Sequence, residues 1–152
     1  VQLARLNLSF DEKHKEYKMK IAAVSEDGVT ISQHFGRAPF YVVVIVEDGR
    51  IIAHETRDKI GHAQFGGETH TEAHGEDPRG HGFDPTAQNR HARMAAAIAD
   101  CEVLLTRGMG AGAYESMKQA NIRPIVTDVA NIDDAVQAYL SGSLEDHVEK
   151  LH

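Results

Sequence analysis

Three groups of residues in this 152-residue chain carry side chains suited to binding a ligand. Ser32-Gln-His-Phe-Gly-Arg37 sets an imidazole and a guanidinium three residues apart in a glycine-containing segment, and Arg107-Gly-Met-Gly-Ala-Gly112 sets a second guanidinium before three glycines. Arginine and unpaired backbone N–H groups at a helix start attract anions, and glycine lets a bulky anion approach the main chain. The competing reading of the glycines is a tight strand-to-helix turn. Met109 adds a thioether, a soft metal ligand or a packing group. The third group is His62, His70, His74 and His81, with Glu72, Glu76 and Asp77 nearby. Neutral imidazoles suit zinc, nickel or copper, with affinity falling as acid protonates them. Their spacing matches no established zinc pattern. A solvated loop that takes up metal adventitiously is therefore the competing reading, and a lid over the anion site is an intermediate one.

Cys101, the one cysteine, excludes an internal disulfide and a cysteine-only metal or iron–sulfur site within one chain. Cys101 and Arg107 have the formal spacing of a phosphatase loop, but the intervening Glu-Val-Leu-Leu-Thr reads as a strand. At about 3.3 Å per residue it would hold the two side chains ~20 Å apart. Cys101 is expected to be a half-buried residue at a strand start.

The elements that must position these groups are legible from hydrophobic patterning. Lys20–Ser25 is a buried strand followed by the polar turn Glu26-Asp27-Gly28. Phe40–Val46 and Ile51–Thr56 flank Asp48-Gly49, a hairpin turn whose central residues need positive φ. From Arg57 to Phe83 the apolar pattern stops, and glycine and histidine dominate a long loop. Asp84-Pro85 then caps a helix reaching Asp100. Val103–Thr106 is a strand, Gly108–Gly112 opens a helix to about Ala120, and Ile122–Thr127 is a strand whose Pro124 favours a sheet edge. Asn131 caps a helix that Gly142 ends, and Leu144, Val148 and Leu151 suggest one short helical stretch more.

The order β-β-β, loop, α-β-α-β-α predicts a mixed five-stranded α/β sheet with one antiparallel strand and helices on its faces. Ligands in such sheets collect beyond the carboxyl ends of the parallel strands. Ser25–Arg37, Arg107–Gly112 and Asp128–Asn131 should meet there. The expected division is an extension over 1–18, a ligand-carrying domain over 19–144 containing the His/Gly-rich loop 57–83, and a tail over 145–152.

Sixteen Lys and Arg stand against 23 Asp and Glu, a net charge of −7 with histidine neutral, which argues against nucleic acid as the main partner. No stretch approaches the ~20 consecutive apolar residues of a membrane span, and residues 1–18 lack the features of a signal peptide. A cytoplasmic protein is expected.

Met19-Lys-Ile-Ala-Ala-Val24, Ser32-Gln-His-Phe-Gly-Arg-Ala38, Arg107-Gly-Met-Gly-Ala-Gly-Ala-Tyr114 and Pro124-Ile-Val-Thr-Asp128 together resemble the dinitrogenase iron–molybdenum cofactor family. Its members are nitrogenase accessory proteins that carry the cofactor or its precursor, with small stand-alone relatives. The resemblance implies a three-layer α/β/α, ribonuclease H-like fold and transient, noncovalent handling of an anionic molybdenum/iron–sulfur cluster. It casts His34, with Phe35 and Gly36 beside it, as a ligand or hydrogen-bond donor. Arg37 and Arg107 balance charge, and the main chain around Gly108, Met109, Gly110 and Gly112 cradles the cluster.

The chain is therefore expected to be a carrier without turnover, working with a metallocofactor assembly or acceptor protein as a monomer or weak homodimer. The alternative is a divalent-metal binder built on the His-rich loop. A ribonuclease H-like hydrolase is disfavoured because the central strand Lys20–Ser25 bears no acidic residue, leaving Glu26, Asp27 and Asp128 to hold metal. On the divalent-metal reading, removing residues 61–82 abolishes zinc or nickel uptake in a calorimetric titration, and unchanged uptake excludes it.

Overall fold

A computed structural model describes residues 18–59 and 85–152. Five strands form one sheet: β1 (Lys18–Ser25), β2 (Phe40–Glu47), β3 (Arg50–Asp58), β4 (Val103–Thr106) and β5 (Arg123–Val126). Among the described residues three helices accompany them: α1 (Pro85–Ala96), α2 (Ala111–Gln119) and α3 (Ile132–Leu140), with a 3₁₀ turn at Val148–Lys150. The strand order is β3-β2-β1-β4-β5. β2 runs antiparallel to both β1 and β3, whereas β1, β4 and β5 are mutually parallel. One reversed strand in this order is the ribonuclease H-like arrangement expected above.

The hairpin between β2 and β3 turns at Asp48 (φ 55°) and Gly49 (φ 79°), the left-handed pair that a tight turn between twisted strands requires. Pro124 lies in β5, an edge strand, where its missing N–H breaks no ladder. Asn131 caps α3 by accepting a hydrogen bond from the Asp134 N–H at 2.9 Å. The Asp84 cap proposed for α1 lies outside the described residues.

Side-chain alternation along β3 identifies the layers. His54 reaches Asp133 of α3 at 2.9 Å. Arg57, of opposite parity, forms a two-pronged ion pair with Asp100 after α1, at 2.7 and 3.0 Å, and donates to the Ala97 carbonyl. Tyr41, which pairs with Arg57 across β2 and β3, donates its hydroxyl to the Met94 carbonyl of α1. The α1 helix therefore lies on one face, beside α2, and α3 covers the other. Ile21 to Val24 of β1 are fully buried between these layers, as are Leu104 and Leu105 of β4. No helix among the described residues is long and apolar enough to cross a membrane.

Arg57 and Lys20 hold the Asp100 carboxyl far below the usual carboxylate range, the Arg57 hydrogen bonds contributing most. The folded pKa lies below the unfolded value, so the ion pair's contribution is complete above ~pH 4 and is lost as pH falls toward the folded value. Asp100→Asn should lower stability at neutral pH by about 1 kcal/mol, since the pair is partly solvated. In denaturant titrations the gap between variant and unaltered chain should narrow steadily below about pH 4.

Candidate functional site

The parallel strands bring their carboxyl ends to one sheet edge, where three loops begin. After β1, Ser25 and Asp27 fold the chain back sharply. The Ser25 hydroxyl donates to the Thr30 carbonyl at 2.8 Å, and one Asp27 carboxylate oxygen accepts from the N–H groups of Val29 and Thr30 at 2.9 and 2.7 Å. These bonds lower the Asp27 pKa. The returning segment pairs with the start of α3, through Ile31 N–H to Ala130 carbonyl at 2.7 Å and Ile132 N–H to Val29 carbonyl at 2.9 Å.

Beyond Ile31 the same segment meets the loop after β4. The Arg107 N–H donates to the Ser32 carbonyl and the Phe35 N–H to the Gly108 carbonyl, both at 3.0 Å. The buried Thr106 hydroxyl also donates to that carbonyl at 2.9 Å. The contact leaves no space for a side chain at residue 108, because a Cβ there would lie 2.3 Å from the Gln33 carbonyl oxygen. Gly108 is needed for this close approach of two backbones.

Lys59, at the end of β3, supports the 34–37 segment. Its ammonium donates to the Phe35 carbonyl and lies 4.6 Å from the centre of the Phe35 ring. Burial pulls its pKa down to about 7.

A cavity of about 360 Å³ opens between these loops. Its walls come in pairs: Gln33 and His34 after β1, Arg107 and Gly108 after β4, Thr127 and Asp128 after β5, and Lys150 and His152 beyond α3. Lys150 is paired with Asp128, whose pKa is lowered chiefly by that contact and further by His147 and Arg107. With both lining histidines neutral, two cationic side chains and one anionic side chain face the space. The cavity thus gathers two cationic side chains in a chain of net charge −7.

Of the residues singled out in the sequence, the structure brings His34, Arg107 and Gly108 together in this cavity. Phe35 and Met109 are buried at 2% exposure, so their side chains pack inward. Gly36 and Arg37 form an exposed turn, with the Arg37 N–H bonded to the His34 carbonyl at 3.1 Å. Gly110 caps α2 without a side-chain bond. Gly112 lies in α2 and lines a different groove, shared with Ala92, Ala95 and Ala96 of α1. The Ala111 N–H at the start of α2 is taken by the His152 carbonyl at 2.8 Å.

Gln33 stood inside a motif segment without distinction, Asp128 was expected at this edge only as a loop residue or a hydrolase carboxylate, and nothing in the linear sequence tied Lys150 or His152 to them. Cys101 lies at the other end of β4, buried, with desolvation and then Asp100 pushing its thiol up to about 12. His62, His70, His74 and His81 lie outside the described residues. Among the described residues no group of three or more His, Cys, Asp or Glu side chains is arranged to hold a metal ion.

A small α/β domain with a mixed five-stranded sheet and a polar cleft at the carboxyl edge of its parallel strands is the class these features define. The profile of the dinitrogenase iron–molybdenum cofactor family matches residues 17–142, and the chain belongs to that family. No match is found among curated protein sequences. Among solved structures, the apo orange protein of Desulfovibrio gigas aligns with 22% identity and a TM-score of 0.58, over 84% of this chain and 92% of that one. A candidate dinitrogenase of Methanocaldococcus jannaschii aligns with 11% identity and a TM-score of 0.54, over 84% and 93%. A candidate NifB protein of Thermotoga aligns with 21% identity and a TM-score of 0.50, over 84% and 92%. At these identities the likeness is one of fold.

Gly108→Ala should cost about 2–3 kcal/mol, because the main chain must move to admit the methyl group. Gly36→Ala, whose methyl meets nothing within 4 Å, should stay within about 0.5 kcal/mol of the unaltered chain. Chemical denaturation of the two variants checks this.

Proposed function

We propose that this chain binds and hands on an anionic molybdenum- or iron–sulfur-containing cluster, or its precursor, in metallocofactor assembly. The observation that carries the reading is the cavity at the carboxyl edge of β1, β4 and β5. It sets Arg107, Lys150 and the two imidazoles of His34 and His152 around one space. About 360 Å³ falls within the range of small-ligand sites, roughly 300–1,000 Å³. Family membership supplies the class of cargo.

The chemistry of the walls suits holding rather than transforming. Arg107 and Lys150 offer charge-assisted hydrogen bonds to terminal oxygen or sulfur atoms of the cargo. His34 offers either a donor N–H or a ligating nitrogen, according to its protonation and tautomer. The buried thiol of Cys101 lies at the far end of β4, so sulfide in the cargo arrives with it or comes from another chain. The acidic side chains a hydrolase would need are separately engaged. Asp27 closes its own turn, Glu26 accepts from Ser32 at 3.1 Å, and Asp128 pairs with Lys150.

The partner on this reading is an assembly or acceptor protein that takes the cluster from the open edge. Anaerobic reconstitution of the purified chain with molybdate, iron and sulfide tests the site. Arg107→Ala and His34→Ala should each reduce retained chromophore affinity about tenfold or more, the scale of a lost charged hydrogen bond. Arg37→Ala, outside the cavity walls, should retain most of it. Equal retention by all three and by the unaltered chain would sink the assignment.

A further inference from the structure

Two of the cavity's cationic or titratable side chains come from a segment beyond the family match, which ends at residue 142. Residues 143–152 return to the sheet edge and are fastened there. The Asp146 carboxylate accepts from the Val126 N–H and the Tyr114 hydroxyl, both at 2.9 Å, and the His147 N–H donates to the Val126 carbonyl at 2.8 Å. His152 makes main-chain bonds with Met109 on the loop after β4 and with Ala111 at the start of α2. Lys150 and His152 thereby stand in the same wall system as Arg107, and Lys150 is held by Asp128.

We propose that Asp128, which is paired with Lys150 and lies 3.3 Å from His147 Nε2, is a resident counter-anion of this cavity, displaced from Lys150 by the incoming ligand, so that the 143–152 segment selects multiply charged oxo- or thio-anions over monoanions. The inference rests on the cavity being the cargo site. Asp128 is tethered beside its cations, so its effective concentration there is high and a dissolved monoanion competes poorly with it. A dianion gains about twice the Coulomb energy and has several acceptor atoms with which to bridge Lys150 and Arg107 together. The exchange disturbs no core packing, since the side chains of Lys150 and Asp128 are 45% and 57% exposed.

The test uses the full chain and tetrathiomolybdate, a coloured dianion, titrated anaerobically by absorbance, with perrhenate as the monoanion competitor. Lys150→Gln should weaken binding about fivefold and Asp128→Asn should tighten it about fivefold, the upper range for a partly solvated charge pair. Lys150→Arg should restore affinity, which a merely structural loss would not predict, and all three variants should keep the thermal unfolding midpoint of the unaltered chain. Perrhenate titrated alone should bind Asp128→Asn more tightly than the unaltered chain, because the resident carboxylate no longer has to be displaced. If Arg107→Ala abolishes binding while Lys150→Gln and Asp128→Asn change nothing, the exchange is overturned and the cavity assignment stands. If the unaltered chain fails to bind, or Arg107→Ala binds as well as it does, the cavity assignment falls and the exchange with it.

Discussion

The close approach of two loop backbones at Gly108 is the constraint on which the rest of the sheet edge depends. With a Cβ excluded by the Gln33 carbonyl, the loop after β4 lies against the segment after β1, and the Ser32 and Gly108 carbonyls each find an N–H donor across the gap. Backbone groups leaving parallel strands lose their ladder partners, and buried polar groups without partners are costly. Here the two loops satisfy one another. The same stitching sets His34 and Arg107 on either side of one space, so a requirement of backbone hydrogen bonding also composes the walls of the cavity.

Electrostatics at that edge runs against the character of the whole molecule. The chain carries a net charge of −7, yet the cavity gathers the side chains of Arg107 and Lys150 with Asp128 as the one acidic side chain in the walls. Elsewhere, strong ion pairing serves the scaffold: Arg57 ties β3 to the turn after α1 through Asp100. The difference is geometric. Arg57 has its partners on adjoining elements of fixed separation, whereas Lys150 and Asp128 are half-exposed at the wall of an open cavity.

Much of the architecture was legible in the residues. The Asp48-Gly49 turn, Pro124 on an edge strand, the Asn131 cap and the alternation of strands with helices after residue 85 all rest on local rules of backbone conformation and burial. The site was legible only in part. His34, Arg107 and Gly108 lay in segments recognisable by type and spacing. Phe35 and Met109 lay in the same segments but pack inward, and Gly112 turns toward α1, because side-chain direction depends on where the loops dock. Lys59, buried beneath the Phe35 carbonyl, fell in the Arg57–Phe83 stretch where the apolar pattern stops, and no local pattern marked it.

The sequence by itself determined the order and type of the elements, the family, and the impossibility of a cysteine-built cluster site within one chain. The elements and the cysteine exclusion follow from periodicity, turn chemistry and composition, which are local or additive, and the family follows from its motif segments. Tertiary structure decided which charged groups share a space. Arg107, Asp128 and Lys150 are separated along the chain by whole elements, and only the parallel pairing of β1, β4 and β5, with residues 143–152 fastened back across Val126, brings them together. Coulomb interactions act through distance in space, and sequence separation carries no information about that distance until the strands have paired.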